Sequence, residues 1–243
     1  MPNNLEKEVN MGKELSARIQ TSILNAAEKK ALVWLAERQP RWVTSDLLTY
    51  LGVLGAVVCA VGCILSNINV NYLWISSLGL VINWYGDSLD GTLARVRHTQ
   101  RPLYGFFIDH TLDAITICIM CIGFGLSPAF RLDVTLLVLA GYLVLSIYTY
   151  ICTILKDEFR LTYSSFGPTE FRLVVIILNT IYMYVPGSSN RYMVWGCDFG
   201  VFDFIGLAIA AFLFIIHLCQ FAKDRKTLSM RDPLKPYHPE DKE

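Results

Sequence analysis

Four aspartates lie close together in the sequence, at the edges of two apolar segments: Asp87, Asp90, Asp109 and Asp113. If both segments are helical, the spacings of three and four residues place each pair on one helix face, and two such faces can meet. Clustered carboxylates repel one another and raise each other's pKa unless a cation joins them. Oxygen ligands without cysteine or a second histidine are typical of sites for hard divalent ions, above all Mg²⁺ with substrate phosphates. The pattern therefore predicts two metal ions that clamp a phosphoryl group for in-line displacement.

The residues around these acids fit a phosphorylated ligand. Gly91 and Gly105 lack side chains where a nucleotide could approach the backbone. Arg95 offers a planar fork of donors to phosphate oxygens. Each residue also has a simpler interpretation, because the glycines could mark helix ends and the arginine could be a positively charged anchor at the membrane surface.

The elements that must position these acids are apolar segments long enough to cross a membrane. The chain has 243 residues, of which 53% are hydrophobic and 17% charged, and its formal net charge is zero, which excludes a disordered chain and a nucleic-acid binder. Six apolar segments come close to the roughly 18 to 25 residues that cross about 30 Å of hydrocarbon, the shortest with 16. They cover residues 47–66, 72–93, 106–126, 134–155, 170–185 and 201–222. We therefore expect an all-α membrane protein with six transmembrane helices.

An amphipathic segment precedes the first of these spans. Apolar residues recur every four positions from Leu15 through Ala31 to Leu35, which predicts a helix lying at the membrane interface, or one packed on a partner subunit. We expect three parts: a cytoplasmic amino-terminal region (1–46), a six-helix catalytic domain (47–222) and a polar, mostly unstructured cytoplasmic tail (223–243). All but two of the 21 Lys and Arg residues, Arg131 and Arg191, then lie on one side. The positive-inside rule predicts that this side, with both termini and the acids, is cytoplasmic.

The spacing of the acidic residues resembles the signature of a known family. Asp87-x₂-Asp90-Gly91-x₂-Ala94-Arg95-x₉-Gly105-x₃-Asp109-x₃-Asp113 is similar to the motif of the CDP-alcohol phosphotransferases, integral membrane enzymes of phospholipid synthesis. The gap between Arg95 and Gly105 is one residue longer than the commonest form. The segment from Pro40 to Thr49 is similar to the weaker lead-in motif of the family, with Ser45 where proline is usual.

The resemblance implies a role for each residue of the motif. Asp87, Asp90, Asp109 and Asp113 would ligate two divalent metal ions, normally Mg²⁺ but in some cases Mn²⁺, and Asp113 would also be the general base. The nucleotide would be bound by Asp87, Gly91, Ala94, Arg95 and Gly105. The acceptor hydroxyl would attack the β-phosphorus of a CDP-linked donor and release CMP. The family also implies a homodimer among membrane lipids.

Two further residues bear on the identity of the substrates. His110 follows the third acid, as in the branch of the family that transfers a CDP-linked choline or ethanolamine headgroup to diacylglycerol. The alternative branch uses CDP-diacylglycerol and a soluble alcohol such as inositol or glycerol phosphate. Arg172, inside the fifth apolar segment, is a second candidate contact for the acceptor or a lipid phosphate, although it could equally extend to the headgroups or pair with Glu170.

Two other classes of protein compete with the enzyme. Acidic residues inside a membrane also mark the pathway of a cation or proton-coupled transporter. Such a transporter requires acids near the middle of the bilayer, whereas these acids crowd one edge. A non-catalytic membrane scaffold would keep its function when Asp113 is replaced by asparagine.

Overall fold

The computed structural model describes residues 25–156, 168–194 and 196–234. These residues form seven α-helices, one 3₁₀ turn (Val70–Tyr72) and one short antiparallel hairpin. The helices are α1 (Asn25–Glu37), α2 (Ser45–Leu65), α3 (Leu73–Val96), α4 (Pro102–Gly125), α5 (Leu132–Lys156), α6 (Pro168–Tyr184) and α7 (Val201–Arg231). The strands are β1 (Arg191–Val194) and β2 (Cys197–Gly200).

Four of these helices are long and apolar enough to cross a membrane: α2, α4, α5 and α7. The all-α class is confirmed, whereas six membrane spans remain a prediction. The second half of α3 carries Asp87, Asp90 and Arg95, which lower its hydropathy. Helix α6 has 17 residues, which give about 26 Å of helix against about 30 Å of hydrocarbon.

Glycines allow α2 and α3 to pack in unusually close antiparallel contact. A Cβ atom on Gly55 would lie 2.4 Å from the backbone nitrogen of Asn83, and one on Gly86 would lie 2.4 Å from the backbone nitrogen of Gly52. No real side chain fits at such distances, so the two backbones touch directly. This contact fixes the height of α3, and therefore of its acids, relative to α2.

The remaining helices bring three helix starts to the same end of the molecule as the carboxyl end of α3. Arg101, just before α4, binds Asp46 at the start of α2. Arg172, in the second turn of α6, binds Asp87 of α3. Helix α4 therefore runs parallel to α2, and α6 runs antiparallel to α3. A core between them contains Ala56, Leu80, Met120, Phe124 and Val175, together with the thiols of Cys59 and Cys63.

Helix α1 packs on its own chain. Leu32 and Ala36 are buried against α2 and α3, where they join Leu89 and Leu93. On the expected apolar line, Ala31 is exposed and Leu35 is partly buried against this cluster, so the protein-facing side of the helix runs through Leu32 and Ala36. Residues 15–24 of the predicted amphipathic helix lie outside the described residues, so its place at the membrane interface stays a prediction.

The carboxyl-terminal segment departs from the expectation of an unstructured tail. Helix α7 continues through Lys223 to Arg231 and ends at Asp232. Residues 223–231 contain good helix formers and no proline, so nothing stops the helix at the predicted end of the span. Residues 235–243 lie outside the described part of the chain.

The hairpin that leads into α7 was not predicted from the sequence. It lies at the end of the molecule opposite the four acids, with a left-handed Gly196 in its turn. The fully buried Asp203 of α7 accepts hydrogen bonds from the backbone N–H of Gly200 and of Arg131, each at 2.7 Å. These bonds join β2, α7 and the loop before α5.

Candidate active site

Three carboxylates from two helices converge at the end of the molecule where α4 and α6 begin. Helix α3 supplies Asp87, and the first three turns of α4 supply Asp109 and Asp113. One carboxylate oxygen from each residue lies within 4.8 Å of those of the other two. Asp87 and Asp109 are partly buried, with 25% and 16% of their side chains exposed. We call these three residues the acidic cluster.

The geometry and chemistry of the acidic cluster fit a divalent cation. Opposite ligands of an octahedral Mg²⁺ lie about 4.2 Å apart and neighbouring ligands about 3 Å apart at its usual bond length, so three oxygens within 4.8 Å of one another reach one ion after the side chains close by up to about 2 Å. All three ligand atoms are carboxylate oxygens, which suit Mg²⁺ or Mn²⁺ and exclude a preference for soft metals. Water or substrate phosphate oxygens would have to complete the coordination shell of such an ion.

The fourth predicted ligand, Asp90, lies apart from the acidic cluster. Its carboxylate accepts a hydrogen bond from Thr49 Oγ1 at 2.6 Å and another from the backbone N–H of Gly91. Its carbonyl accepts a bond from Ser45 Oγ at 2.5 Å. Asp90 therefore faces α2. The structure brings together three of the four predicted metal ligands.

Arg172 makes the cross-helix contact to the acidic cluster. Its Nη2 donates to Asp87 Oδ2 at 2.6 Å, and its Nε donates to Asn83 Oδ1 at 2.8 Å. Asn83 in turn donates to the carbonyl of Gly52 at 2.9 Å. Only 12% of the arginine side chain is exposed, and its Nη1 is buried without a hydrogen-bond partner among the described residues. The guanidinium thus offers an unused donor beside the cluster. Its ion pair is with Asp87, and not with Glu170 as the alternative interpretation of the sequence suggested.

His110 lies against the acidic cluster on α4. The imidazole is buried, and its ring stacks on Phe106 at 4.1 Å between centroids. The ring of Tyr150 from α5 lies 5.0 Å away. Its Nδ1 is 3.5 Å from Asp109 Oδ2, beyond a good hydrogen bond but close enough for electrostatic contact. The aromatic packing fixes the plane of the ring beside the carboxylates.

The residues predicted to bind the nucleotide border open space. A Cβ atom on Gly105 would meet nothing within 4 Å, and one on Gly91 would meet only the guanidinium of Arg95 at 3.7 Å. Glycine inside a helix costs about 1 kcal/mol relative to alanine, and no packing contact explains it at these two positions. Ala94 is partly buried, and Arg95 is exposed and donates to Thr92 Oγ1 at 3.0 Å. The absence of packing is consistent with close approach of a ligand.

An exposed ion pair borders the entrance to this space. Arg101 Nη2 lies 2.7 Å from both carboxylate oxygens of Asp46, and the guanidinium lies 3.9 Å from the ring centroid of Tyr104. The hydrogen bond to Asp46 raises the pKa of Arg101 above its usual range. Phosphate binding by Arg101 would therefore require it to leave Asp46.

Sequence reasoning missed two residues that orient the acids, Thr49 and Asn83. Thr49 stands in the lead-in motif, where its role could not be read from its position. Asn83 carries a recognisable signal, because an amide inside an apolar segment four residues before Asp87 shares its helix face.

Comparisons with known proteins agree with this geometry. The profile of the CDP-alcohol phosphatidyltransferase family matches residues 42–219. A phosphatidylinositol phosphate synthase from Cutibacterium acnes is 38% identical over 73 residues, which are 29% of this chain and 32% of that protein. A cholinephosphotransferase 1 from Danio rerio is 22% identical over 191 residues, which are 74% of this chain and 49% of that protein.

The matched regions span about a third and about half of the length of these two relatives. The family profile, by contrast, covers most of the present sequence and includes all four acids and Arg172. The chain therefore belongs to the CDP-alcohol phosphatidyltransferase family.

Proposed function

We propose that this protein is a membrane transferase that moves a substituted phosphate from a CDP-linked donor to a hydroxyl acceptor and releases CMP. The observation that carries the proposal is the convergence of Asp87, Asp109 and Asp113 from two helices within 4.8 Å, in the order of the family motif. Open space beside Gly91 and Gly105, next to the cluster, is where we place the cytidine nucleotide.

In this proposal the protein's residues divide the work of phosphoryl transfer. Asp113 accepts the proton of the acceptor hydroxyl, whose oxygen forms a bond to the β-phosphorus of the donor. The bond from that phosphorus to the bridging oxygen breaks, and CMP leaves with the electron pair. Two divalent ions, held by the acidic cluster with Asp90 after rotation of its side chain, would neutralise the phosphate charge. No covalent intermediate with the protein is required.

Arg172 and Arg95 supply the fixed positive charge in this proposal. The buried and unpaired Nη1 of Arg172 would donate to a phosphate oxygen of the donor or acceptor, as was suggested from the sequence. Arg95, exposed at the end of α3, would bind the phosphates of the nucleotide from the other side. A guanidinium suits both tasks because its planar donors match phosphate oxygens.

For the substrates we propose a CDP-ethanolamine or CDP-choline donor with diacylglycerol as acceptor. His110 supports this choice, because it is the residue that this branch of the family has after the third acid, and its buried ring lies 3.5 Å from Asp109 Oδ2. The long match to a cholinephosphotransferase agrees with it. The alternative is CDP-diacylglycerol with a soluble alcohol, with which the shorter match to a phosphatidylinositol phosphate synthase agrees.

We also propose that α3 and α6 complete a set of six membrane spans with the acidic cluster at the cytoplasmic edge. The distribution of Lys and Arg supports this orientation. Both helices carry polar side chains that bind each other, such as Arg172 and Asp87, so their polar groups need not face lipid. The homodimer implied by the family remains a prediction.

The test is CMP release by purified protein in nanodiscs. CDP-ethanolamine and CDP-choline are each paired with diacylglycerol, and CDP-diacylglycerol is paired with inositol, serine or glycerol phosphate, in Mg²⁺ or in EDTA. Asp113→Asn should lower the rate about 10²- to 10⁴-fold, the usual contribution of a general base. Asp232→Asn, an exposed acid at the end of α7, is the matched control and should retain activity.

The outcomes separate the levels of the proposal. CMP from a CDP-headgroup and diacylglycerol supports the full proposal, and CMP only from CDP-diacylglycerol keeps the reaction but replaces the substrates. Full activity in Asp113→Asn would contradict the assigned base. A folded protein that releases no CMP from any pair and binds neither CDP nor Mg²⁺ is not this transferase. Cation or proton flux across vesicles that contain the protein would then favour the transporter.

A further inference from the structure

Glu28, in the first turn of α1, joins two other helices through a single oxygen. Its Oε1 accepts a hydrogen bond from Trp84 Nε1 of α3 at 2.8 Å and another from Thr169 Oγ1 of α6 at 2.6 Å. All three side chains are partly buried. The amino-terminal helix, to which sequence reasoning assigned no chemistry, is therefore attached directly to the two helices that carry Asp87 and Arg172.

Both donors lie within one helical turn of a residue at the candidate active site. Trp84 precedes Asp87 by three residues on α3, and Thr169 precedes Arg172 by three residues on α6. The side chain of Glu28 bridges α3 and α6 close to where Arg172 reaches across to Asp87 at 2.6 Å. The two links constrain the same pair of helices at the same end of the molecule.

Helix α6 depends on such links because it packs chiefly against α3 within the described part of the chain. Asn179 adds hydrogen bonds to Ser76 and Ser77 nearer the carboxyl end of α6. At its amino end, Glu28 and Arg172 both link α6 to α3. A carboxylate at this position also faces the positive end of the α6 dipole, which favours the contact.

We propose that Glu28 is a positioning residue, which holds the first turn of α6 against α3 through Trp84 and Thr169 and so keeps Arg172 on Asp87. The functional consequence of this link rests on the metal site and phosphate contact proposed above. The link itself does not depend on them. A simpler role, in which Glu28 only anchors α1, predicts lower stability without any change at Arg172 or at the metal site.

The test uses the full-length protein in nanodiscs with the variants Glu28→Ala and Glu28→Gln. Glutamine keeps an oxygen that accepts both hydrogen bonds, so it should behave like the wild type. Glu37→Ala, an exposed acid on the same helix, is the matched control. The first readout is hydrogen exchange of the α6 amides from Phe171 to Leu173 in metal-free protein. The second is Mn²⁺ affinity, measured well below the unfolding temperature, alone and in an Arg172→Gln background.

We expect Glu28→Ala to speed exchange in the first turns of α6 at least tenfold, with no change in Glu28→Gln or Glu37→Ala. Its Mn²⁺ affinity should shift in the same direction as that of Arg172→Gln, by about threefold or more, and should not shift further in the double variant. This non-additivity is expected only if Glu28 acts through Arg172.

Three results would overturn the proposal. Unchanged exchange in Glu28→Ala shows that the link does not hold α6. Faster exchange with unchanged Mn²⁺ affinity, or effects that add in the double variant, reduces Glu28 to an anchor for α1. If Glu28→Gln and Glu28→Ala speed hydrogen exchange and shift the Mn²⁺ affinity equally, the effect comes from the charge of Glu28 and not from its two hydrogen bonds. A wild-type protein that binds no Mn²⁺ would refute the proposed metal site, while the exchange data would still decide whether the link exists.

Discussion

Removal of divalent metal should destabilise the folded protein, because it leaves three carboxylates within 4.8 Å of one another without the bridging cation. Two unit charges 4.8 Å apart repel by about 3.5 kcal/mol at an effective dielectric constant near 20, and the cluster contains three such pairs at or within this distance. Arg172 offsets part of this repulsion through Asp87 at 2.6 Å.

The size of the effect follows from mass action. A ligand present at a hundred times its Kd stabilises the state that binds it by about 2.7 kcal/mol. For a chain of this size, such a gain raises the Tm by roughly 5 to 11 °C, since about 1 kcal/mol corresponds to 2 to 4 °C. The same shift should vanish in Asp109→Asn, which removes one of the three ligands and one repulsive pair.

The assay is thermal unfolding in detergent, followed by intrinsic fluorescence across a Mg²⁺ titration that starts from EDTA-treated protein. Asp109→Asn should unfold at a higher temperature than the wild type in EDTA and should gain little from Mg²⁺. Asp232→Asn should follow the wild type throughout and so controls for non-specific ion effects. An unchanged Tm across the titration of the wild type, or an equal gain in Asp109→Asn, would refute a metal site at these carboxylates.

Substitutions at four further positions test the contacts around the site. Arg172→Gln should bind Mn²⁺ about three- to tenfold more tightly, because the positive charge of the arginine no longer repels the ion at Asp87; a tenfold change is about 1.4 kcal/mol of binding free energy. Weaker binding, measured by titration calorimetry, would contradict this electrostatic account. Thr49→Val should lower the free energy of unfolding by about 1 to 3 kcal/mol, because it leaves the Asp90 carboxylate without its 2.6 Å donor, and Thr49→Ser should restore the stability seen in thermal melts. Gly86→Ala should lower the Tm strongly, since its Cβ would lie 2.4 Å from the backbone of α2. Gly105→Ala, whose Cβ would meet nothing within 4 Å, should keep the Tm or raise it by up to about 4 °C, because alanine is the better helix former, and should weaken binding of CDP. The opposite ranking of the two Tm values would count against both assignments.

Much of the architecture follows from the sequence, because apolar length and helical periodicity are local properties. Each of the six apolar segments coincides with one helix of the structure and extends at most one residue beyond it, as at residue 72, one before the start of α3 at Leu73. The convergence of Asp87, Asp109 and Asp113 was likewise predictable from their spacing on two neighbouring helices. Orientation in the membrane, domain division and dimerisation remain predictions.

Prediction of secondary structure from local sequence patterns failed where the structure of a segment depended on its neighbour. Residues 223–231 are polar, which suggested an unstructured tail, yet they simply continue the helix begun in α7. The hairpin of β1 and β2 pairs short strands without a strong alternating pattern. In both cases an adjacent helix, and not the composition of the segment, decided the structure.

The sequence by itself determined which residue types could form the site, since the motif from Asp87 to Asp113 carries the acids, the glycines and Arg95. Only the tertiary structure decided which partners face them. Three residues along a helix rotate a side chain by about 60° from its starting direction, so Asp90 meets Thr49 of α2 while Asp87 meets Arg172 of α6. Such contacts depend on how three helices are rotated and how high each one lies, quantities that the close packing of Gly55 and Gly86 fixes and that no single segment encodes.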